Sequence, residues 1–390
     1  MSILLYYNLR NLLARRLSTS LTLVVIAVMV FVLGILLSFA AGMQATLAST
    51  GSPLNIIVLK PGATAESTSI ILPEEAAQLA QTPGLANDAN GRPLLSRELC
   101  VQTDLPRRNA ARSAANVAIR GVEEVAFVVH PEVRIVAGRP FQQGALELIA
   151  GQAAVGRFHG LEVGSRITIG RQSHRQYTVV GIFTAGGGAL ESEIWAPRTM
   201  LADSYQRQLS SSVLLRLRGP EFLPEALAYI NGPSVQLTGK SETAYYDDLA
   251  STTREVILLT TVLIGIMAVG AVFAVANTMY AAVDGRRREL AMLRAIGFRR
   301  VAIMAALLSE SLLLSLVACV AGCLAAAAFS GLRQDFLSNY TWTVLAFELR
   351  MTSGVVAACV GLAVVVGVAG ALAPGVRAAR VNVLEALRKA

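Results

Sequence analysis

The order of apolar and polar residues gives this chain four long runs without charge, separated by segments of a different texture. No Asp, Glu, Lys or Arg falls between Arg16 and Lys60, between Glu255 and Asp284, or between Arg350 and Arg377. Only Glu310 interrupts the stretch from Arg300 to Arg333. The apolar cores of these runs, about Leu21–Ala41, Val256–Val283, Val301–Leu324 and Thr352–Pro374, can each cross a hydrocarbon layer of roughly 30 Å as a helix. They predict transmembrane helices at 21–42, 255–283, 301–331 and 352–376. The first run exceeds the roughly 7–15 apolar residues of a signal peptide, so a retained anchor is expected despite Ala40-Ala41 near its end.

Between the first two spans, over 43–254, the period shortens to that of strands broken by turns. Asn55–Lys60, Glu147–Ala150, Arg166–Gly170, Gln176–Phe183, Val213–Arg218 and Ser234–Thr238 read as strands, and Glu221–Ile230 as a helix. These predict an α+β domain with a subdomain at about 117–197. No strong breaker follows Ser241 before Gly265, so the second span is expected to begin as a helix well above the membrane.

Charge changes the picture by orienting it. The chain is 54% hydrophobic and only 15% charged, with a net charge of +8. Segments 1–20, 284–300 and 377–390 hold 13 Lys and Arg against three acids, whereas 43–255 holds 19 against 20. The positive-inside rule then puts both termini and the 284–300 loop in the cytoplasm. The large domain and the short 332–351 loop fall outside it. The basic excess is a topology signal, and no nucleic-acid partner is implied. Tyr340, Trp342 and Phe347 suit an interfacial belt in contact with membrane lipid. Cys319, Cys323 and Cys359 lie in spans as small apolar residues, and Cys100 is alone in the outer domain, which therefore has no internal disulfide.

Catalytic chemistry is hard to find. Gly239-Lys240-Ser241 ends like a phosphate loop, but Ser234 stands where its first glycine is needed, so a turn before a helix is expected. Gly186-Gly187-Gly188 reads as a flexible loop. His130, His159 and His174 show no metal-ligand spacing, and Glu123-Glu124 and Asp247-Asp248 read as solvated. No catalytic residue, cofactor or metal is assigned. The spans offer only Asn277, Glu310 and scattered Ser and Thr as polar groups, too few for a conduit. Gly34, Ser38 and Gly42 in the first span, and Ala318, Gly322 and Ala326 in the third, recur every four residues and predict tight helix packing.

A family resemblance enters with Asn277-Thr278-Met279, then Arg286, Arg288, Glu289-Leu290 and Leu293-Arg294-Ala295-Ile296-Gly297. This segment resembles a signature of the MacB/FtsX-like ABC transporter permeases. Leu307-Leu308-Ser309-Glu310, Pro374 with Arg377-Ala378-Ala379-Arg380, Leu384-Glu385-Ala386-Leu387-Arg388, Val179-Val180-Gly181-Ile182-Phe183 and Ser192-Glu193-Ile194-Trp195-Ala196-Pro197 look like the same family. Gly285, Ala318-Cys319 and Asn382-Val383 depart from its usual residues.

The resemblance implies the non-catalytic membrane subunit of an export complex in a bacterial inner membrane, with 43–254 as its periplasmic domain. ATP and Mg would bind a separate cytoplasmic ABC ATPase, a second permease copy would complete a dimer (a homodimer being favoured), and a periplasmic adaptor would lead to an outer-membrane duct. Lipoprotein release and regulation of cell-wall hydrolases are the alternative roles. Physical patterning alone leaves the helix around Leu290, Leu293, Ile296 and Gly297 to rest on lipid or fill a partner's groove. The resemblance makes it a coupling helix, with Glu289, Leu290, Leu293, Arg294, Ile296 and Gly297 as the ATPase-coupling residues. Leu290 and Leu293 would fill the ATPase cleft, Arg294 would meet an acid there, and Gly297 would turn the chain into the third span. Ile3–Leu17 reads as an amphipathic interfacial helix and 377–390 as a tail helix. Ser212 is taken as an accessible position on the outer domain.

Overall fold

The computed structural model describes residues 16–108, 110–170, 175–251, 253–337 and 344–380. The N-terminal amphipathic segment, most of the tail helix, Tyr340 and Trp342 lie outside the described residues. Two compact units divide the chain: a helical unit from Met1–Gly42, Thr253–Leu332 and Leu349–Ala390, and an inserted unit from Met43–Thr252 with Arg333–Glu348.

In chain order the main elements are α1 (Arg16–Ala48), β1 (Asn55–Leu59), β2 (Leu95–Arg107), β3 (Ala110–Val122), β4 (Arg134–Gly138), β5 (Glu147–Gly151), β6 (Arg166–Ile169), β7 (Arg175–Thr184) and β8 (Ile194–Pro197). Then come α2 (Arg198–Tyr205), β9 (Ser212–Arg216), α3 (Leu223–Ile230), β10 (Thr238–Ser241), α4 (Glu242–Ser251) and α5 (Thr253–Asp284). The chain continues through α6 (Arg287–Ala295), α7 (Arg300–Ala327), β11 (Arg333–Leu337), β12 (Val344–Glu348) and α8 (Ser353–Ala379).

The inserted unit is built on one mixed sheet in the order β10-β1-β9-β2-β3-β8-β5-β7-β4, with β6 on β7. The pairs β3–β8 and β5–β7 are parallel and the other pairs antiparallel. Its backbone is the long β2–β3 hairpin, which propensity hides because the strands carry many Ala and Arg residues. The first residues of β2 pair with β9 and the rest with β3, so β2 joins two lobes. One apolar core gathers Ile56, Val58, Leu79, Val213, Leu215 and Ile230. A second draws on residues from Leu99 to Ala202, including Ile119, Leu148, Phe158 and Tyr177. The second lobe thus starts well before position 117, because its central strands form a single hairpin.

Three local expectations change. Ser234–Val235-Gln236-Leu237 is not strand; the strand is Thr238–Ser241, which includes the Gly-Lys-Ser triplet and pairs with β1. Gly186 and Gly187 do have positive φ, but the loop is tied: Ala185 and Gly187 amides and the Thr184 hydroxyl donate to Glu191 Oε1. Residues 332–351 hold the β11–β12 hairpin, where Phe347 is buried in the inserted unit rather than displayed at an interface.

In the helical unit, α1, α5, α7 and α8 are the four helices long and apolar enough to cross a membrane among the described residues. Their shared core includes Ile26, Met29, Val30, Val275, Leu307, Leu314, Cys359 and Val366. The small residues read from sequence lie at helix crossings. A Cβ on Gly34 would stand 2.9 Å from the Cβ of Ala326, and one on Gly322 would stand 2.6 Å from the Ala27 carbonyl. Ala318 is fully buried, Ser38 donates to the Met351 sulfur, and Gly42 is buried. α8 adds Gly367, where the Ser311 hydroxyl donates to the carbonyl, and Gly370 against Val275. Replacing Gly322 with valine is expected to cost about 1–3 kcal/mol by overpacking. Gly265→Ala, in open space, is the control. Equal thermal unfolding of the two variants in detergent would contradict this packing.

Candidate functional site

The amphipathic helix α6 is short, and its seat explains its orientation. Leu290 and Ala291 are buried in the bundle core, while Leu293 and Arg294 are half-buried. Met292 and Ile296, four residues apart on one face, are 50% and 77% exposed, and Phe298 is 46% exposed. Glu289 is exposed in the first turn and Arg294 sits in the last, the arrangement that complements a helix dipole.

Polar contacts fasten α6 at both ends. Arg286, just ahead of it, makes a two-pronged pair with Glu310 of α7, at 3.2 and 3.1 Å. Glu310 is 3% exposed, so the arginine supplies the charge its carboxylate needs in an apolar setting. At the other end Arg294 Nη1 donates to the Ala379 carbonyl at 2.9 Å, satisfying the C-terminal turn of α8. Gly297 has φ +104°, and the Phe298 and Gly297 amides return to the Leu293 and Arg294 carbonyls. This is a Schellman cap, and a side chain at Gly297 would be strained although space is open. A small apolar cavity of about 60 Å³ separates α6 from α7, lined by Arg286, Leu290, Leu293, Ile303, Leu307 and Glu310 among others.

The expected coupling set is therefore divided. Leu290 does not offer its side chain to a partner, because the bundle core already takes it, and Leu293 lines the cavity. Arg294 is engaged within the chain. Ile296 remains exposed, joined by Met292 and Phe298, which the sequence reading passed over. Of the two intramembrane polar residues, Glu310 is ion-paired and Asn277 is exposed on α5.

A second polar constellation lies in the inserted unit and was not read from sequence. Cys100 faces Arg120 across the β2–β3 hairpin and Ser212 of β9 faces Glu98. Arg120 and Glu98 therefore stand as diagonal neighbours on one face. Arg120 binds Glu66, Glu98 and Glu193 at 2.6–2.9 Å, and the Ser212 hydroxyl donates to Glu66 at 2.6 Å. His130 lies between Glu98 at 3.3 Å and Glu132 at 3.2 Å, with its ring in a T-shaped contact with Trp195. Ser212 is thus wholly buried, the opposite of an accessible position. Glu123 is likewise not simply solvated, because Arg97 and Arg198 pair with it.

Desolvation opposes charge at Glu98 and at His130, and the partners decide the outcome. Burial raises the Glu98 carboxyl, but Arg120 and then His130 pull it down to about 2. Burial depresses His130, yet Glu132, Glu98 and Glu242 lift it to about 10. The stability from Glu98 is present above its ordinary 4.5 and is lost as pH falls through about 2. That from His130 is complete below 6.5 and is lost as pH rises through about 10. The only signal in the sequence is a charged residue inside an apolar strand, as in Val117-Ala118-Ile119-Arg120-Gly121-Val122. Among the described residues no group of His, Cys, Asp or Glu is arranged to hold a metal ion.

Four apolar helices, a mixed domain inserted after the first and a capped amphipathic helix between the second and third define a multi-pass membrane protein. Two family models match: the MacB-like periplasmic core domain over residues 19–232, and the FtsX-like permease C-terminal region over 261–383. The chain belongs to the MacB/FtsX-like family of ABC transporter permeases.

The chain is also similar to two solved structures. One is the extracellular domain of the noncanonic ABC-type transporter YknZ from Gram-positive bacteria, at 14% identity, 46% of this chain, 92% of that one and a TM-score of 0.32. The other is the periplasmic region of MacB from Actinobacillus actinomycetemcomitans, at 11% identity, 55% of this chain, 97% of that one and a TM-score of 0.35. No curated protein matches.

Proposed function

We propose that this chain is the non-catalytic permease subunit of an export complex in a bacterial inner membrane, with both termini and α6 in the cytoplasm. A separate ABC ATPase, which carries ATP and Mg, docks on α6 and drives α5, and through it the inserted domain. Two copies of the chain supply eight spans. The inserted domain, on the periplasmic side, engages an adaptor that leads to an outer-membrane duct. One observation carries the reading: α6 is fastened to the bundle by Arg286–Glu310 and by Arg294 on the end of α8, yet leaves Met292, Ile296 and Phe298 uncovered. A fastened helix transmits force, and an uncovered apolar tip gives a partner something to hold.

Replacing Ile296 with Asp tests docking with little effect on the fold, since the side chain is mostly exposed. Burying that carboxylate unpaired in a partner costs several kcal/mol, so ATPase affinity should fall more than about tenfold. Ala89→Asp, on an exposed turn of the inserted domain, should leave affinity unchanged. Full ATPase copurification and full ATP-driven export by Ile296→Asp would make α6 a membrane-surface helix only.

A further inference from the structure

The strand that carries Gly239-Lys240-Ser241 has no part in the relay, yet it walls a cavity of about 430 Å³ in the inserted domain. That volume falls within the roughly 300–1,000 Å³ of small-molecule sites. Strand alternation builds it. Ile56 and Val58 of β1 turn into an apolar core, so Ile57 and Leu59 turn to the opposite face. There Ile57 pairs across the ladder with Lys240 and Leu59 with Thr238, which puts two apolar and two polar side chains on one patch. From α4, Tyr245, Asp248 and Leu249 lie on one helix face and line the other wall.

The chain itself holds these walls in place. The Ala63 amide returns to the Lys60 carbonyl and the Lys60 amide donates to the Ser69 hydroxyl, which fixes the lip at 62–64. The Tyr245 hydroxyl accepts from the Glu66 amide at 3.4 Å, which holds its ring against the cavity. A site fixed in advance loses less entropy on binding. The outer edge of β10 is closed at its centre: the Gly239 amide donates to Asn231 Oδ1 at 2.8 Å, and its carbonyl accepts from Asn231 Nδ2 at 3.3 Å. A peptide adding as a further strand would need those backbone groups. An occupant therefore enters by the face of the sheet and not by its edge.

The floor is apolar and the mouth is charged. Ile57 and Leu59 are buried, whereas Lys240 and Asp248 are exposed at the rim and pair at 2.6 Å. An ammonium has three donors and a carboxylate about four lone-pair sites, so this mutual contact exhausts neither group. The pair is also balanced. A ligand with net charge would leave one sign in excess at the mouth, whereas one with both signs extends the pair to four alternating charges.

We propose that this cavity binds a small amphiphilic zwitterion, with its apolar body against Ile57, Leu59 and Leu249, an anionic group on Lys240 and an ammonium on Asp248. The site goes beyond the relay proposed above, and its test needs no ATPase.

The test is photolabelling of the full-length protein in nanodiscs of digalactosyldiacylglycerol, a bilayer lipid with no headgroup charge to compete. The probe is an eight-carbon alkyl phosphoethanolamine with a diazirine on its chain. Label should map to 57–64 and 245–249. It should exceed that from the matching anionic alkyl phosphoglycerol or cationic alkylammonium by about fivefold, the effect of one further exposed ion pair. Thr238→Trp fills the cavity from an edge strand that accepts aromatics and should cut the label more than about tenfold. If that variant fails to fold, Leu249→Trp fills the same space from α4. Lys240→Gln with Asp248→Asn should bring the three probes to equal labelling. Phosphatidylethanolamine added to the bilayer separates the sources: competition names a membrane lipid as the occupant, and its absence names a soluble zwitterion. Label outside these segments, label unmoved by a folded cavity-filling variant, or equal labelling of the wild type by all three probes would each overturn the site.

Discussion

Replacing Arg120 with leucine is expected to be the most damaging single change in the inserted domain. It strands Glu66, Glu98 and Glu193, two of them almost fully buried, with no cation in reach of all three. Breaking a buried charge network by removing one partner costs about 3–5 kcal/mol. In a domain of this size that lowers the unfolding midpoint by on the order of 10 °C. Thermal unfolding of the purified chain at neutral pH reads the loss directly. Because the damage is stranded negative charge, part of the lost stability should return as the stranded carboxyls take up protons on acidification. A variant as stable as the wild type would mean that the glutamates find other partners and that the network is not a keystone.

The second large effect is expected where α6 is fastened. Arg286→Leu leaves Glu310, 3% exposed in an apolar wall, without its ion-pair partner, at a cost of about 3–5 kcal/mol. The double change Arg286→Leu with Glu310→Leu should recover most of that stability, since a buried pair replaced by apolar residues is often neutral. It should not recover export, because α6 would then keep its packing and lose the tie between its leading end and α7. Stability in detergent separates single from double variant, and ATP-driven export separates double variant from wild type. Full export by the double variant would reduce the ion pair to a packing device.

Different parts of this molecule were legible to different degrees. The spans and the small residues between them follow from short-range rules. Twenty-odd apolar residues can satisfy their backbone only as a helix in lipid, and a residue every four positions lies on one helix face. The positions of Gly34, Gly322 and Ala326 were thus readable, and the same spacing in Ala363, Gly367, Ala371 and Gly375 on α8, all buried, was open to the same rule. Short strands with Val and Ile were equally plain. The β2–β3 hairpin was not, because its strands have little β-propensity of their own and their outer neighbours, β9 and β8, are distant in sequence.

The sequence by itself determined how many helices cross, where the large domain is inserted, and that an amphipathic helix ending at Gly297 follows the second span. Each depends on the period of apolar residues or on a backbone conformation that glycine adopts readily. Only the tertiary structure decided which side chains of α6 remain available. Leu290 on the nine-residue helix and Ile296 at its C-cap are both apolar, and nothing local says that the bundle takes the first and leaves the second. It also decided that Ser212 is buried and that Arg120, His130 and the glutamates around them form one network. Residues up to 146 positions apart meet there, and the stability of a buried charge depends on what surrounds it in space, which no local pattern encodes.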